Sequence, residues 1–240
     1  MSAKLKLTLY FDVISPYTYM AWTFLQRYKQ RWNLDLDLKP IFLGGIMHGT
    51  GNQPPAMLPA RSLFMAQDLH RTAAMMQAPM LPTASNFLAR ETNKLILAWQ
   101  RIFTARLMDG ASNEEVEQLI SNAMFAFHAD PKNRTADNDM ILTDQVIASI
   151  FHGVNRDQAF IQGVIARSES AEVKQKLNQT TKEAIEAGAY GAPTMLIHGG
   201  LAPYYDGTKP IFVFGSDRFE QIAFMCGLKY EGPCPPVSKL

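Results

Sequence analysis

In the N-terminal segment of the chain, the spacing of the apolar residues changes once, from the period of a strand to the period of a helix. Every second residue from Leu5 to Phe11 is apolar, which predicts a strand with one buried face. Ser15 then suits a helix N-cap, and Pro16 suits the first helical position because its missing N–H needs no partner there. Apolar residues follow at helical spacing: Tyr17, Met20, Ala21, Phe24, Leu25 and Tyr28. The chain therefore begins with a strand that turns directly into an amphipathic helix.

The hydroxyl of Ser15 is expected at the first turn of this helix. Free N–H groups and the positive end of the helix dipole make such a position suitable for an anion. Taken alone, these residues leave two interpretations open. Ser15 either only caps the helix or also contacts an anionic group of a ligand.

A second alternating segment, residues 34–42, predicts a further strand and thus a right-handed βαβ unit with two parallel strands. Residues 44–55 are rich in glycine and proline, which predicts a long loop without a regular element. Long loops inside compact domains are usually functional or disordered. The glycines lack the spacing of a phosphate-binding loop, so we predict no nucleotide site here.

The middle of the chain, residues 62–188, has helical periodicity and no strand alternation. It predicts six helices, near residues 62–77, 85–108, 113–129, 137–151, 156–166 and 169–187. Strand patterns return at residues 194–198 and 211–214, which predicts a hairpin with a long connection. A last helix is expected directly afterwards, with Asp217 or Ser216 as its N-cap.

The order of these elements predicts an α/β domain interrupted by an all-helical insertion. Residues 1–62 form the first part (βαβ), residues 63–188 form the inserted helical domain, and residues 189–228 form the second part (ββα). Residues 229–240 form a C-terminal tail, of which the proline-rich part from Gly232 to Val237 is predicted to be exposed.

Composition excludes several classes of protein. The chain has 23 basic and 22 acidic residues, so we expect neither nucleic acid nor an anionic membrane as a partner. No apolar run is long enough to span a membrane. Only two cysteines occur, which fits a reducing compartment and excludes a disulfide framework. The five histidines are scattered without ligand spacing, so we predict no metal.

The two ends of the chain bear on its location. The first residues lack the apolar core of a signal peptide and are too short and arginine-poor for a transit peptide. The chain ends in Ser238-Lys239-Leu240, which matches the tripeptide that the peroxisomal import receptor binds. We therefore predict a peroxisomal protein.

Several motifs occur in a fixed order over nearly the whole chain. They are Asp12-Val13-Ile14-Ser15-Pro16-Tyr17, Gly45-Ile46-Met47, Gly51-Asn52-Gln53-Pro54-Pro55, Leu58-Pro59, Met65-Ala66-x-Asp68-Leu69, Gly188-Ala189-Tyr190-Gly191-Ala192-Pro193 and Phe214-Gly215-Ser216-Asp217-Arg218. Together they resemble the kappa-class glutathione S-transferases, which are related to 2-hydroxychromene-2-carboxylate isomerases and, more remotely, to DsbA-type oxidoreductases. The resemblance implies a thioredoxin-like (DsbA-like) α/β domain with an inserted all-helical domain.

The resemblance also implies the site residues. Ser15 takes the place of the catalytic serine, whose hydroxyl donates to the sulfur of glutathione. The other implied glutathione contacts are Pro16 and Tyr17 at the same turn, Asn52 in the loop, Arg61 where relatives carry Lys, Ala192 before the cis-proline Pro193, and Ser216 and Asp217 at the γ-glutamyl end. Two departures are an alanine at Ala192 where Leu is commoner and a longer loop at residues 199–210.

One hydroxyl is sufficient for the implied chemistry. A free cysteine thiol has a pKa of about 8.5, and lowering it by one to two units needs roughly 1.4 to 2.7 kcal/mol. A hydrogen bond to a charged group contributes about 1.5 to 3 kcal/mol. The segment Ser15-Pro16-Tyr17-Thr18 has no Cys-x-x-Cys pair, which argues against dithiol exchange.

The resemblance implies a homodimeric glutathione transferase that conjugates glutathione, its co-substrate, to a small hydrophobic electrophile. A glutathione-dependent peroxidase activity is left open beside it. Two alternatives are a glutathione-dependent 2-hydroxychromene-2-carboxylate-type isomerase and a non-catalytic thioredoxin-like binding or chaperone module. A mitochondrial pool is left open beside the peroxisome, because some relatives are found in mitochondria although they lack an obvious presequence.

Overall fold

The computed structural model describes residues 4–154 and 156–236. Its strands are β1 (Leu5–Phe11), β2 (Leu34–Pro40), β3 (Thr194–His198) and β4 (Ile211–Phe214). Its helices are α1 (Pro16–Tyr28), α2 (Leu43–Thr50), α3 (Pro59–Met75), α4 (Arg90–Met108), α5 (Asn113–His128), α6 (Asp144–Ser149), α7 (Gln158–Ser168), α8 (Ala171–Glu186) and α9 (Phe219–Cys226). Short 3-10 turns lie at Pro55–Met57 and Pro131–Asn133.

The strands of the described chain form one mixed sheet in the order β2-β1-β3-β4. β1 and β2 are parallel, as the alternating segments predict, with Leu7 opposite Leu36 and Leu9 opposite Leu38. β3 runs antiparallel to both β1 and β4, which confirms the predicted hairpin. The fold is therefore the predicted α/β class with a thioredoxin-like sheet.

The prediction of an irregular loop at residues 44–55 is wrong in its first half, where α2 forms. Close packing explains this helix. A Cβ on Gly49 would lie 2.8 Å from Ile185 of α8, and one on Gly45 would lie 3.2 Å from Thr181. The glycines thus let α2 approach α8, and this contact offsets their low helix propensity.

The start of the last helix also differs from the prediction. Arg218, not Asp217 or Ser216, is the N-cap of α9, and it makes no side-chain capping bond. The preceding Gly215 has φ +96°, and a Cβ there would lie 2.9 Å from Oδ1 of Asp217. The turn at Gly215 therefore directs the two polar residues away from the capping position.

Other helix bounds are shorter than predicted. The helix expected over 85–108 begins at Arg90, and the one expected over 137–151 is limited to Asp144–Ser149. Side-chain bonds to the backbone replace helix in the remaining residues, since Asn86 donates to the carbonyl of Met140 and accepts from its N–H. Polar residues that bond to the backbone favour turns over helices.

The inserted helices share a core with the sheet. Phe103 of α4 is fully buried against Phe11 of β1, with ring centroids 5.9 Å apart. Trp99 of α4 is also fully buried, and its ring meets that of Phe127 on α5 edge to face. The division into segments at 62, 188 and 228 remains a prediction, because packing is continuous across it.

The predicted exposure of Gly232 to Val237 is wrong for residues 232–235, and residues 229–236 pack against the rest of the chain. The hydroxyl of Tyr28 on α1 accepts from the N–H of Glu231 and donates to the carbonyl of Gly232, both at 2.8 Å. Trp32 donates to the carbonyl of Lys229 at 2.9 Å. This C-terminal segment therefore lies along α1 and is half-buried. The tripeptide Ser238-Lys239-Leu240 lies outside the described residues. In the described part of the chain, no helix is long and apolar enough to cross a membrane.

We predict that Tyr28→Phe lowers the free energy of unfolding by about 1 to 3 kcal/mol, because it leaves two backbone groups without their partner. Urea unfolding followed by circular dichroism measures the change. Tyr204→Phe is the control, since this tyrosine is 47% exposed, and it should change stability by about 0.5 kcal/mol or less. Equal changes in the two variants would mean that Tyr28 does not hold the segment.

Candidate active site

Ser15 lies where the sequence predicts it, at the N-cap of α1. Its Oγ accepts from the N–H of Thr18 at 3.2 Å and donates to the carbonyl of Ala192 at 2.9 Å. The side chain is 5% exposed, and it still reaches a cavity. The first turn of α1 therefore faces the turn that precedes β3, where the bond between Ala192 and Pro193 is cis.

The cavity has a volume of about 720 Å³, within the usual range of small-molecule sites. Its wall is formed by several separate parts of the chain: the start of α1, α2, residues 52–56, α3, residues 190–192, residues 214–219 and the C-terminal segment. The predicted site residues that line it are Ser15, Pro16, Tyr17, Asn52, Arg61, Ala192, Ser216 and Asp217. Pro193 is buried behind Ala192 and does not line the cavity, and its carbonyl accepts from the N–H of Gly215 at 3.0 Å.

Asn52 joins two parts of the wall. Its Nδ2 donates to the carbonyl of Tyr190 at 2.6 Å, and its Oδ1 accepts from the N–H of Gln53 at 2.9 Å. The loop after α2 is thereby tied to the turn that carries Ala192. The structure thus brings together residues that lie 138 positions apart in the chain.

Asp12 stabilises the turn that carries Ser15 through hydrogen bonds to the backbone. It is almost fully buried, and its two carboxylate oxygens accept from the N–H groups of Ile14 at 3.1 Å and Leu43 at 2.8 Å. Burial raises the pKa of Asp12 to about 6, although the two N–H groups act to lower it. One carboxylate thus connects the start of α1 to the start of α2.

Two side chains of the inserted helices complete this brace. Nε2 of Gln100 on α4 donates to the carbonyls of Phe11 and Ile41, both at 2.7 Å. Nε2 of His128 on α5 lies 2.7 Å from the carbonyl of Val13. Burial lowers the pKa of His128 to about 4, so the ring is neutral and its Nε2 carries the proton that this carbonyl accepts.

Sequence reasoning missed all three bracing residues. Asp12 was only part of a motif, and His128 was considered only as a metal ligand. Gln100 had a usable signal, because it is a polar residue next to Trp99 and near Phe103 on an otherwise apolar helix. A polar residue among buried apolar positions of a helix indicates a partner in the core.

The charges at the cavity are mixed. Arg61 is exposed at one side, and Asp217 pairs with Arg218 at 3.3 Å at another. The hydroxyl of Tyr17 donates to Asp68 at 3.2 Å within the wall. The residues that the structure describes contain no group of three or more His, Cys, Asp or Glu side chains that could hold a metal.

The pKa of Asp12 gives a prediction about stability. Between about pH 4 and about pH 6 the unfolded chain loses this proton while the folded chain keeps it. Asp12 therefore lowers the free energy of unfolding as pH rises through this range, by about 3 kcal/mol in total. Asp12→Asn removes this contribution.

The measurement is urea unfolding of wild type and Asp12→Asn from about pH 4 to about pH 7, around the ordinary and the raised pKa of Asp12. Other titrating groups cancel in the difference between the two proteins. We expect wild type to lose stability relative to the variant as pH rises. A difference that does not vary with pH would show that Asp12 ionises at its ordinary pKa.

Comparison with known proteins agrees with this fold. The family described as the DSBA-like thioredoxin domain matches residues 6–224. Glutathione S-transferase kappa 1 of Rattus norvegicus is 33% identical over 231 residues, which covers 96% of this chain and 95% of that protein. Glutathione S-transferase kappa 1 of Homo sapiens is 32% identical over 230 residues, which covers 95% and 94% respectively.

Two solved structures share the fold at low sequence identity. A 2-hydroxychromene-2-carboxylate isomerase has a TM-score of 0.67 at 17% identity, over 91% of this chain and 93% of that one. A putative protein disulfide isomerase from Nitrosomonas europaea has a TM-score of 0.59 at 15% identity, over 93% and 96% respectively. The family match over residues 6–224 and the identity of 32–33% to the transferases over nearly the full length show that the chain belongs to the kappa class of glutathione S-transferases, within the DsbA-like thioredoxin family.

Proposed function

We propose that this protein is a glutathione transferase in which Ser15 stabilises the thiolate of bound glutathione for attack on a small hydrophobic electrophile. One observation carries the proposal. The hydroxyl of Ser15 lies at the N-terminus of α1 and at the wall of the cavity, opposite Ala192. A thiolate at this point would meet a hydroxyl donor and the positive end of a helix dipole.

Binding of glutathione would exchange one hydrogen bond at Ser15 for another. The hydroxyl proton now points to the carbonyl of Ala192. The cysteinyl N–H of glutathione would donate to this carbonyl instead, and the Ser15 hydroxyl would then donate to the sulfur. The N–H of Thr18 would keep holding Oγ in place. No backbone group is left unpaired in this exchange, so the hydroxyl is free to act on the thiolate.

The ends of glutathione would meet the charged rim of the cavity. We assign the peptide end to Asn52 and Arg61, and the γ-glutamyl carboxylate and amine to Ser216 and Asp217. The distribution of these residues over different parts of the wall supports the assignment. Asp217 is exposed and paired with Arg218, so the incoming amine would share its carboxylate.

The conjugation step follows from these contacts. The thiol proton leaves to solvent, the thiolate forms a bond to the electrophilic carbon, and the electrophile releases its leaving group or accepts the electron pair and a proton. Desolvation raises the pKa of the Cys226 thiol, which lies at the end of α9, outside the cavity wall. It does not supply a second thiol for dithiol exchange.

The other activities remain hypotheses. A glutathione-dependent peroxidase activity would use the same thiolate. The likeness to the isomerase extends to the fold alone at 17% identity, and no contact among the described residues of the cavity favours isomerisation over transfer. A non-catalytic binding module would not need the Ser15 hydroxyl in the cavity. The peroxisomal location is likewise a proposal that depends on residues 238–240.

We predict that Ser15→Ala raises the pKa of the bound glutathione thiol by about 1 to 2 units and lowers turnover at neutral pH roughly 10- to 100-fold. Glutathione affinity should change little, because the other contacts remain. Ultraviolet absorbance of the thiolate, titrated with pH, measures the pKa, and steady-state kinetics measure turnover.

Thr18→Val is the matched control for this experiment. The Thr18 hydroxyl is buried one helical turn after Ser15 and has no hydrogen-bond partner among the described residues. Its removal should leave the thiol pKa unchanged and should not lower stability. An unchanged thiol pKa in Ser15→Ala would exclude Ser15 as the activating group.

We also propose a homodimer. Three exposed apolar residues support it, Met57 in the 3-10 turn before α3 and Leu63 and Phe64 in the first turns of α3, which are 59%, 72% and 61% exposed. Neighbouring exposed apolar side chains mark association surfaces in soluble proteins. Sedimentation equilibrium should give twice the monomer mass for wild type. Leu63→Glu with Phe64→Glu should shift this to the monomer.

Phe224→Glu controls for the charge added to an exposed apolar position, since Phe224 is 68% exposed on α9. It should leave the mass at that of the dimer. A wild-type monomer at all concentrations, or a dimer that survives the double substitution, would contradict the proposed surface.

A further inference from the structure

Tyr17 and Asp68 form a polar pair in the cavity wall, between the first turn of α1 and the middle of α3. The Tyr17 hydroxyl donates to Oδ2 of Asp68 at 3.2 Å, and both side chains line the cavity. Desolvation, and next the charge of Asp68, raise the pKa of Tyr17 to about 12. The phenol therefore keeps its single proton at neutral pH and donates it to Asp68.

The Asp68 carboxylate has no cation paired with it among the residues that the structure describes. In residues 4–154 and 156–236, the one hydrogen-bond partner of this side chain is the Tyr17 hydroxyl. The second carboxylate oxygen is free to contact a ligand. The pair therefore presents acceptor oxygens and a negative charge to the cavity, and it has no proton to offer.

The surroundings of Asp68 differ from the proposed glutathione contacts. Apart from Tyr17, those contacts lie at the start of α1, in residues 52–61, at Ala192 and in the turn before α9. Apart from Thr72, the rest of the wall near Asp68, along α3 and the C-terminal segment, is mostly apolar: Met65, Met75, Met76, Tyr230 and Pro233. Among the described residues that line the cavity, the carboxylates are Asp68 and Asp217, and Asp217 belongs to the proposed glutathione contacts.

Tyr17 links the proposed position of the glutathione sulfur at Ser15 to this apolar part of the cavity. An electrophile must bring its reacting atom to the sulfur at Ser15, two residues before Tyr17. Its substituents would then extend across Tyr17 into the apolar part of the cavity and would meet Asp68. Near a protein surface, two unit charges a few ångströms apart interact strongly enough to change an affinity about tenfold.

We propose that Asp68, held by Tyr17, is a specificity-determining residue that excludes electrophiles with an anionic substituent and favours those with a neutral or cationic one. The apolar wall accommodates the body of such a substrate, and the carboxylate selects its charge. This inference rests on the proposed function, because it defines the second substrate of the same site.

The test uses two conjugates that differ in one charge, S-(4-methylbenzyl)glutathione and S-(4-carboxybenzyl)glutathione. Isothermal titration calorimetry measures the dissociation constant of each. We expect wild type to bind the neutral conjugate about tenfold more tightly than the anionic one. Asp68→Asn should reduce this ratio to about twofold, mainly by improving binding of the anionic conjugate.

One further variant controls for the loss of a carboxylate elsewhere. Asp35→Asn removes an exposed carboxylate on β2, outside the cavity, and should leave the ratio as in wild type. An unchanged ratio in Asp68→Asn overturns the inference. Equal weakening of both conjugates and of glutathione also overturns it, because Asp68 would then hold the glutathione part itself.

Turnover separates this inference from the proposed function. Wild type should conjugate glutathione to 1-chloro-2,4-dinitrobenzene faster than to 4-chloro-3,5-dinitrobenzoate, and Asp68→Asn should narrow that difference. No turnover with either electrophile, together with the expected ratio for the conjugates, would contradict the transferase function and support the charge selection. Turnover with both at a ratio that Asp68→Asn does not change would contradict only the charge selection.

Discussion

The structure depends on how the backbone is satisfied where β1 and β2 end. At this point each strand is followed by a helix, and the connecting turns lie inside the core. Water therefore does not reach the free N–H and C=O groups of these turns. Asp12 accepts from the N–H groups, while Gln100 and His128 donate to the carbonyls. A buried backbone group without a partner costs about 1 to 3 kcal/mol. The loss of any of these side chains would therefore loosen the turn that carries Ser15.

This brace connects the inserted helices to the candidate active site. Gln100 and His128 belong to α4 and α5, whereas the turns they hold belong to the sheet. α3 supplies one wall of the cavity and the C-terminal segment another. The insertion thus supports the reacting end of the cavity through hydrogen bonds and shapes the opposite end with apolar side chains. Changes in its packing should affect both.

The cavity combines two environments that suit the two proposed substrates. Polar contacts around Ser15, Asn52 and the Gly215 turn suit a charged peptide such as glutathione. The apolar part along α3 suits a hydrophobic electrophile, and Asp68 gives it a charge preference. Ser15 needs no basic residue beside it, because one hydrogen bond and a helix dipole are enough to stabilise a thiolate.

The sequence by itself determined the elements that depend on local spacing. The alternation before Phe11 and the pair Ser15-Pro16 predict β1, the N-cap and α1, because period and capping involve residues close in the chain. Only the tertiary structure decided the rest. α2 forms against α8 despite its glycines, and residues 229–236 pack on α1. Ser15 is hydrogen-bonded to Ala192, which lies 177 positions away in the chain. These outcomes depend on contacts between distant segments, which propensity and spacing do not encode.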